Sequence, residues 1–241
     1  MKKKLLILQF RTDKSLRHER DCFIKSGNFK KSDLHFVNIL DSRSRLPMLD
    51  DLSSYCGVII GGSGQTDICC WDDETKAKVV RIKKLVEKVI NNDMPMLNIC
   101  FGHQLVAYFL EGKVETDERQ AETGTYEISL NPKGKQCPLF RDMPKHFYAV
   151  LGHKDSVTKL PVGANTLASS DRCHIESYRI KNNVYCVQFH PELDKKGMRY
   201  RLNLFPTYMH GKNIESILSN YKETEFASKV IANFRQFVLQ N

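Results

Sequence analysis

The sequence predicts an α/β fold: a doubly wound, mostly parallel sheet with helices on both faces and a small antiparallel hairpin section. Three observations carry this reading. The first two-thirds alternates short β-rich runs with amphipathic helical patterns, the order expected when helices cross between parallel strands. A later stretch holds strand-like runs separated by Asn131-Pro132, Leu160-Pro161-Val162-Gly163 and Asn182-Asn183 turns, which suits hairpins. The chain then ends on one more amphipathic helix.

Leu5 to Phe10 reads as the first strand, Leu16 to Ser26 as a helix ended by Gly27, His35 to Leu40 as the second strand and Gly57 to Ile60 as a short buried one. From Asp73 to Ile90, Val79, Ile82, Val86 and Val89 recur at helical spacing, with Asp72 or Asp73 placed to cap the N-terminus. Pro95 breaks that pattern before the apolar strand Met96 to Ile99, which runs directly into Cys100-Phe101-Gly102; His103 to Leu110 again suits a helix. Thr125 to Leu130, Phe147 to Leu151, Ile175 to Ile180 and Val184 to Phe189 read as strands. The tail from Glu223 carries Phe226, Val230, Phe234 and Val238 four residues apart, the stripe of a packing helix.

The chain has 241 residues, 41% hydrophobic and 27% charged, an ordinary composition for one globular domain with a large core. We therefore expect a single domain over 1–241 with a helical C-terminal extension at about 195–241. Met1-Lys2-Lys3-Lys4 and Leu5-Leu6-Ile7-Leu8 imitate a signal peptide, but Gln9 and Arg11 end the apolar run early, so a first strand is expected there. No stretch approaches the roughly 18 apolar residues of a membrane span. The eight cysteines show neither the dense spacing of a secreted scaffold nor a zinc-type pair, which points to a reduced cytoplasmic setting. The net charge of +9 is spread along the chain and mixed with Asp and Glu, so it reads as a solvated surface; no nucleic-acid recognition motif accompanies it. His18, His35, His146, His174 and His210 show no metal-ligand spacing.

Cys100 sits at a strand-to-helix elbow. Such a place combines exposure on a tight bend, the positive end of a helix dipole and backbone N–H groups free to hold an oxyanion. Gly102 fits the same bend, where a β-carbon has little room. A cysteine nucleophile needs a base, and His190 ends the run Tyr185 to Phe189, with Pro191 and Glu192 directly after it. Glu192 is placed to accept an imidazole N–H and fix the ring tautomer. Taken singly, a buried cysteine is more commonly a packing residue and a strand-end histidine a turn residue.

Together these segments resemble a known family. Asn98-Ile99-Cys100-Phe101-Gly102-His103-Gln104 resembles the nucleophile motif of class I glutamine amidotransferases, and Gln188-Phe189-His190-Pro191-Glu192 their His-x-Glu motif. Ile59-Ile60-Gly61-Gly62-Ser63-Gly64 resembles the family's Gly-Gly turn. Glu122-Thr123-Gly124, His153-Lys154-Asp155-Ser156-Val157 and the opening Leu8-Gln9-Phe10-Arg11 look like the stand-alone branch similar to the amidotransferase domain of GMP synthase. Two departures stand out: Ser63-Gly64 replaces a Pro often found after the Gly pair, and Gly152 replaces a bulkier residue.

The resemblance implies a flavodoxin-like fold and a catalytic triad of Cys100, His190 and Glu192. It also implies an oxyanion hole from Gly62 and Phe101, and substrate positioning by Gly61 and Gln104. The reaction implied is hydrolysis of the glutamine side-chain amide through a γ-glutamyl thioester, which needs neither cofactor nor metal. A separate synthetase subunit is the partner implied. A freestanding hydrolase or transferase on another γ-glutamyl amide or peptide is the main alternative, and a non-catalytic regulatory or binding protein of the same fold is the other.

Overall fold

The computed structural model describes residues 3–64, 66–209 and 211–240, so His210 lies outside the described residues. In chain order the elements are β1 (Lys4–Phe10), α1 (Ser15–Ser26), β2 (Leu34–Asn38), β3 (Tyr55–Ser63), α2 (Asp73–Val80), α3 (Lys83–Asn91), β4 (Met96–Ile99) and α4 (Phe101–Phe109). Next come β5 (Lys113–Thr116), β6 (Glu122–Leu130), α5 (Pro132–Lys135), β7 (His146–His153), β8 (Asp155–Lys159), β9 (Asn165–Ser169), β10 (Ser177–Ile180) and β11 (Val184–Val187). The chain closes with α6 (Lys195–Leu204), α7 (Ile214–Ser219) and α8 (Glu225–Gln240).

The main sheet has nine strands in the order β2-β1-β3-β4-β11-β10-β9-β6-β7. Its first five strands are parallel, and from β11 onward the pairings are antiparallel. The antiparallel section thus extends over a four-strand wing, and β5 and β8 form a separate two-stranded ribbon. Strands covered on both faces need apolar residues at successive positions, not alternate ones. Leu5 and Ile7 accordingly face one layer with Ile59, Leu97, Ile99 and Val187, under Phe23 of α1 and Val230, Ile231, Phe234 and Val238 of α8. Leu6 and Leu8 face the other with Val58, Ile60 and Met96, under Val86 and Val89 of α3 and Leu105 and Val106 of α4. Full burial of each such side chain contributes about 1.5–3 kcal/mol.

The helix expected over 73–90 is two helices. Asp72 caps the first by accepting from Thr75 N at 2.7 Å, and the axis breaks at Arg81 and Ile82. There the Arg81 guanidinium is drawn to the carbonyls of Ile39, Asp41 and Ser44. The break still leaves Val79, Ile82, Val86 and Val89 fully buried, so the apolar spacing is satisfied by two short helices in place of one.

Candidate active site

In an open parallel sheet, loops beyond the carboxyl ends of neighbouring strands meet at one edge. β4 lies between β3 and β11, and this places Cys100, the Gly61-Gly62 turn and His190 together. The β3–β4 pairing stops at Ile60 opposite Asn98, so Gly61 and Gly62 run on past β4. Against β1, Gln9 alone spans the interval that Gly61 and Gly62 occupy on β3, a bulge of the kind that re-aims backbone groups beside active sites. A β-carbon on Gly62 would stand 2.8 Å from His190 Cε1 and 3.7 Å from Cys100 Cβ; only glycine fits.

Cys100 itself is bent. Its φ of 50° and ψ of −101° lie outside the basins of ordinary L-residues, and its N–H is anchored on Val187 O at 2.8 Å. Starting α4 immediately after this bend leaves the first helical N–H groups, Phe101's among them, without intrahelical partners. Gly102 makes the bend possible: a β-carbon there would lie 2.6 Å from the Ile60 carbonyl oxygen in the middle of the sheet. Gly102→Ala should lower the unfolding free energy by about 2–3 kcal/mol. An unchanged denaturant midpoint would contradict this packing account.

His190 is held by its backbone N–H on Val150 O at 2.8 Å, and its Nδ1 meets Glu192 Oε1 at 2.8 Å. The Cys100 sulfur lies close enough to the ring to favour its charged form. Burial opposes a charge on the ring, but the Glu192 carboxylate and the Cys100 sulfur outweigh it and raise its pKa to about 10. For Glu192 burial would raise the pKa; the His190 charge and hydrogen bond, with Arg201 nearby, lower it instead to about 2. The pair is therefore an imidazolium facing a carboxylate at neutral pH.

Of the other residues singled out in the sequence, Phe101 is buried at the helix start. Gln104 is a support: its amide nitrogen donates to Asp155 O at 2.6 Å and to Gln188 Oε1 at 3.1 Å. Gln188 in turn donates to Cys100 Sγ at 3.6 Å. The side of Gly61 where a β-carbon would point is occupied by the Glu19 carboxylate, 2.9 Å away, so Gly61 offers a ligand only its backbone. Gln188 had no role in the sequence reading, although its position two residues before His190 on one strand exit was a signal.

Glu122 and His153 meet at 3.2 Å, with His153 Nδ1 at 3.0 Å from Asp155 O, so the two supporting motifs brace the loop that holds Gln104. Glu122, His153, Cys173 and Glu176 bring their possible ligand atoms within 4.8 Å of one another, in the core. Burial and the neighbouring Glu122 push the Glu176 carboxyl well above the usual carboxylate range. A protonated Glu176 beside an ionised Glu122 is the arrangement these directions favour.

A second feature is unforeseen. α6, capped by Asp194 accepting from Gly197 N at 2.8 Å, packs Met198 and Leu202 against Val150 and Leu193. This closes a cavity beside His190, lined also by Ser63, Gly152 and Arg201. Arg201 is 8% exposed, and its Nε donates to His18 Nδ1 at 3.0 Å.

A family model for glutamine amidotransferase class-I matches residues 53–203. A glutamine-hydrolyzing GMP synthase subunit of Methanocaldococcus jannaschii is 37% identical over 116 residues, 48% of this chain and 60% of that protein. Gamma-glutamyl peptidase 3 of Arabidopsis thaliana is 29% identical over 160 residues, 63% of this chain and 60% of that one. The chain thus spans about 60% of the length of these curated relatives. A glutamine amidotransferase from Thermotoga maritima, 16% identical, superposes with a TM-score of 0.78 over 100% of both chains, a likeness of fold. With the family model covering the sheet from β3 to α6, the elbow and the histidine included, the chain belongs to the class I glutamine amidotransferase family.

Proposed function

We propose that this chain hydrolyses the side-chain amide of glutamine, with Cys100 as nucleophile, His190 as proton carrier and Glu192 as the group that orients and charges the imidazole. One observation carries the reading: the strained Cys100 elbow, the His190–Glu192 pair and the Gly62 bulge converge on one point at the carboxyl edge of the sheet. The Cys100 sulfur bonds to the γ-amide carbon, and the oxygen's developing charge is met by the N–H groups of Gly62 and Phe101. The C–N bond then breaks as His190 gives its proton to the departing ammonia. A γ-glutamyl thioester remains. Water attacks it, losing a proton to His190, and the C–S bond breaks to give glutamate and the free cysteine sulfur. Gln104 acts here through Gln188, and Gly61 through its backbone.

The relatives named as one subunit of a GMP synthase support a second chain as consumer of the ammonia, a separate synthetase subunit. The cytoplasmic setting rests on the cysteine spacing, which suits no secreted scaffold. No helix of the described residues is long and apolar enough to cross a membrane. The whole chain is read as one domain, with 195–241 as its helical extension. The test is release of ammonia and glutamate from L-glutamine by the full chain. Turnover is the expected result, and glutamate release at the rate of the uncatalysed reaction, with and without a synthetase, would contradict the proposal. A second reading, cleavage of a larger γ-glutamyl amide, is favoured by the cavity beside His190.

A further inference from the structure

The cavity beside His190 is lined by a buried cation that no carboxylate hydrogen-bonds among the described residues. Arg201 is a guanidinium more than nine-tenths buried, yet it forms no ion pair with a carboxylate among the described residues. Its Nη2 is buried without a hydrogen-bond partner. The neighbouring acids are committed elsewhere: Glu19 pairs with Arg11 at 2.9 Å and Glu192 with His190 at 2.8 Å. His18, which accepts from Arg201 Nε, adds no charge, since burial and then Arg201 itself lower its pKa to about 4. Glu19 and Glu192 offset part of the Arg201 charge through space, but a buried guanidinium N–H with no acceptor is costly to hold, and it suits an anionic group in the cavity that Arg201 lines.

Apart from Ser63, His190 and Tyr208, the rest of the wall is apolar. Leu193, Met198, Leu202 and Phe205 line it, leaving about 50 Å³ for the centres of water-sized molecules, room for an occupant larger than a single water. Both departures from the family pattern shape it. Gly152 lies on the wall, with nothing within 4 Å of where a β-carbon would stand; Gly64 leaves room for the Phe205 ring, which would lie 2.2 Å from a β-carbon there. Ammonia needs none of this. His190, which hands its proton to the leaving nitrogen in the proposed reaction, forms part of the same wall.

Resting on that reading, we propose that the cavity is a leaving-group site for an amino acid with an apolar side chain, its carboxylate paired with Arg201, so that the preferred substrates are γ-glutamyl dipeptides. The chemistry balances as for glutamine: the Cys100 sulfur displaces the amino acid's nitrogen, which takes the proton from His190, and water cleaves the thioester to glutamate.

The test compares kcat/KM of the full chain on γ-L-glutamyl-L-leucine, its leucinamide analogue, L-glutamine and glutamine amidated at its α-carboxylate. The dipeptide should exceed the leucinamide analogue by roughly 30-fold or more, as expected when a buried charge loses its partner, and should exceed glutamine as well. In Arg201→Gln the acid-to-amide ratio should fall toward one, whatever the absolute rate. In Gly152→Leu, which fills the wall, the dipeptide-to-glutamine ratio should drop about tenfold or more. Equal turnover of leucine acid and amide by the unmodified chain overturns the proposal even if Arg201→Gln fails to fold. So does a loss confined to amidation of the glutamyl α-carboxylate, which would give Arg201's partner to the other half of the substrate. Glutamine turnover without dipeptide turnover sinks this inference alone; silence on every compound sinks the hydrolase reading and this one with it.

Discussion

Replacing Cys100 with alanine should lower glutamine turnover by about 10⁴-fold or more, the scale on which covalent catalysis fails when its nucleophile is removed. The same position should show an inverted stability order. Glycine ordinarily costs about 0.5–1 kcal/mol relative to alanine through chain entropy. Here the backbone has a φ of 50° and a ψ of −101°, which strains any residue with a β-carbon by about 1–3 kcal/mol. Cys100→Gly should therefore be inactive yet more stable than Cys100→Ala by about 1 kcal/mol. Denaturant unfolding of the two variants checks this. An alanine variant as stable as the glycine one would show that the elbow stores no strain.

Glu192→Gln should lower kcat by about 10²–10⁴-fold, as in triads whose acid is neutralised while its shape is kept, and should displace the alkaline limb of the pH profile. The sign follows from the field at His190. Burial disfavours the imidazolium, and the Glu192 carboxylate with the Cys100 sulfur outweighs burial to give a pKa of about 10. Without the carboxylate, burial gains ground and the proton leaves at lower pH. The limb should move from near pH 10 in the unmodified chain toward neutrality. Stability responds in the same two windows. His190, raised from 6.5 to about 10, contributes stability that is complete below pH 6.5 and lost as pH rises to about 10. Glu192, lowered from 4.5 to about 2, contributes stability present above pH 4.5 and lost as pH falls to about 2. Glu192→Gln should flatten both slopes, and a variant with an unshifted alkaline limb would remove Glu192 from the account.

The parallel half of the fold was legible because strands buried on both faces carry unbroken apolar runs, as Leu5 to Leu8 and Met96 to Ile99 do. The helix at α8 was legible because one face is apolar at constant spacing. β5 and β8 escaped notice because their ribbon leaves charged residues such as Lys113, Glu115 and Lys159 on the surface, where alternation is weak. The break between α2 and α3 depends on Arg81 reaching carbonyls some forty residues away in sequence, which no local pattern reports. The elbow cysteine, His190 and Glu192 could be proposed from sequence because strand-end chemistry is local; that they converge with Gly62 is a property of the strand order. Arg201 was illegible for the opposite reason. It stands in the polar run from Asp194 to Arg201, which suggests a solvated surface, and only docking of α6 over Val150 and Leu193 buries it.

The role of Cys100 as nucleophile for a γ-glutamyl carbonyl is tested most directly by covalent labelling. Incubating the full chain with a diazoketone analogue of glutamine, followed by peptide mass spectrometry, should give one adduct at Cys100 among the eight cysteines, suppressed by excess glutamine or γ-glutamyl dipeptide. No adduct, or labelling of another cysteine that these compounds do not suppress, would contradict it.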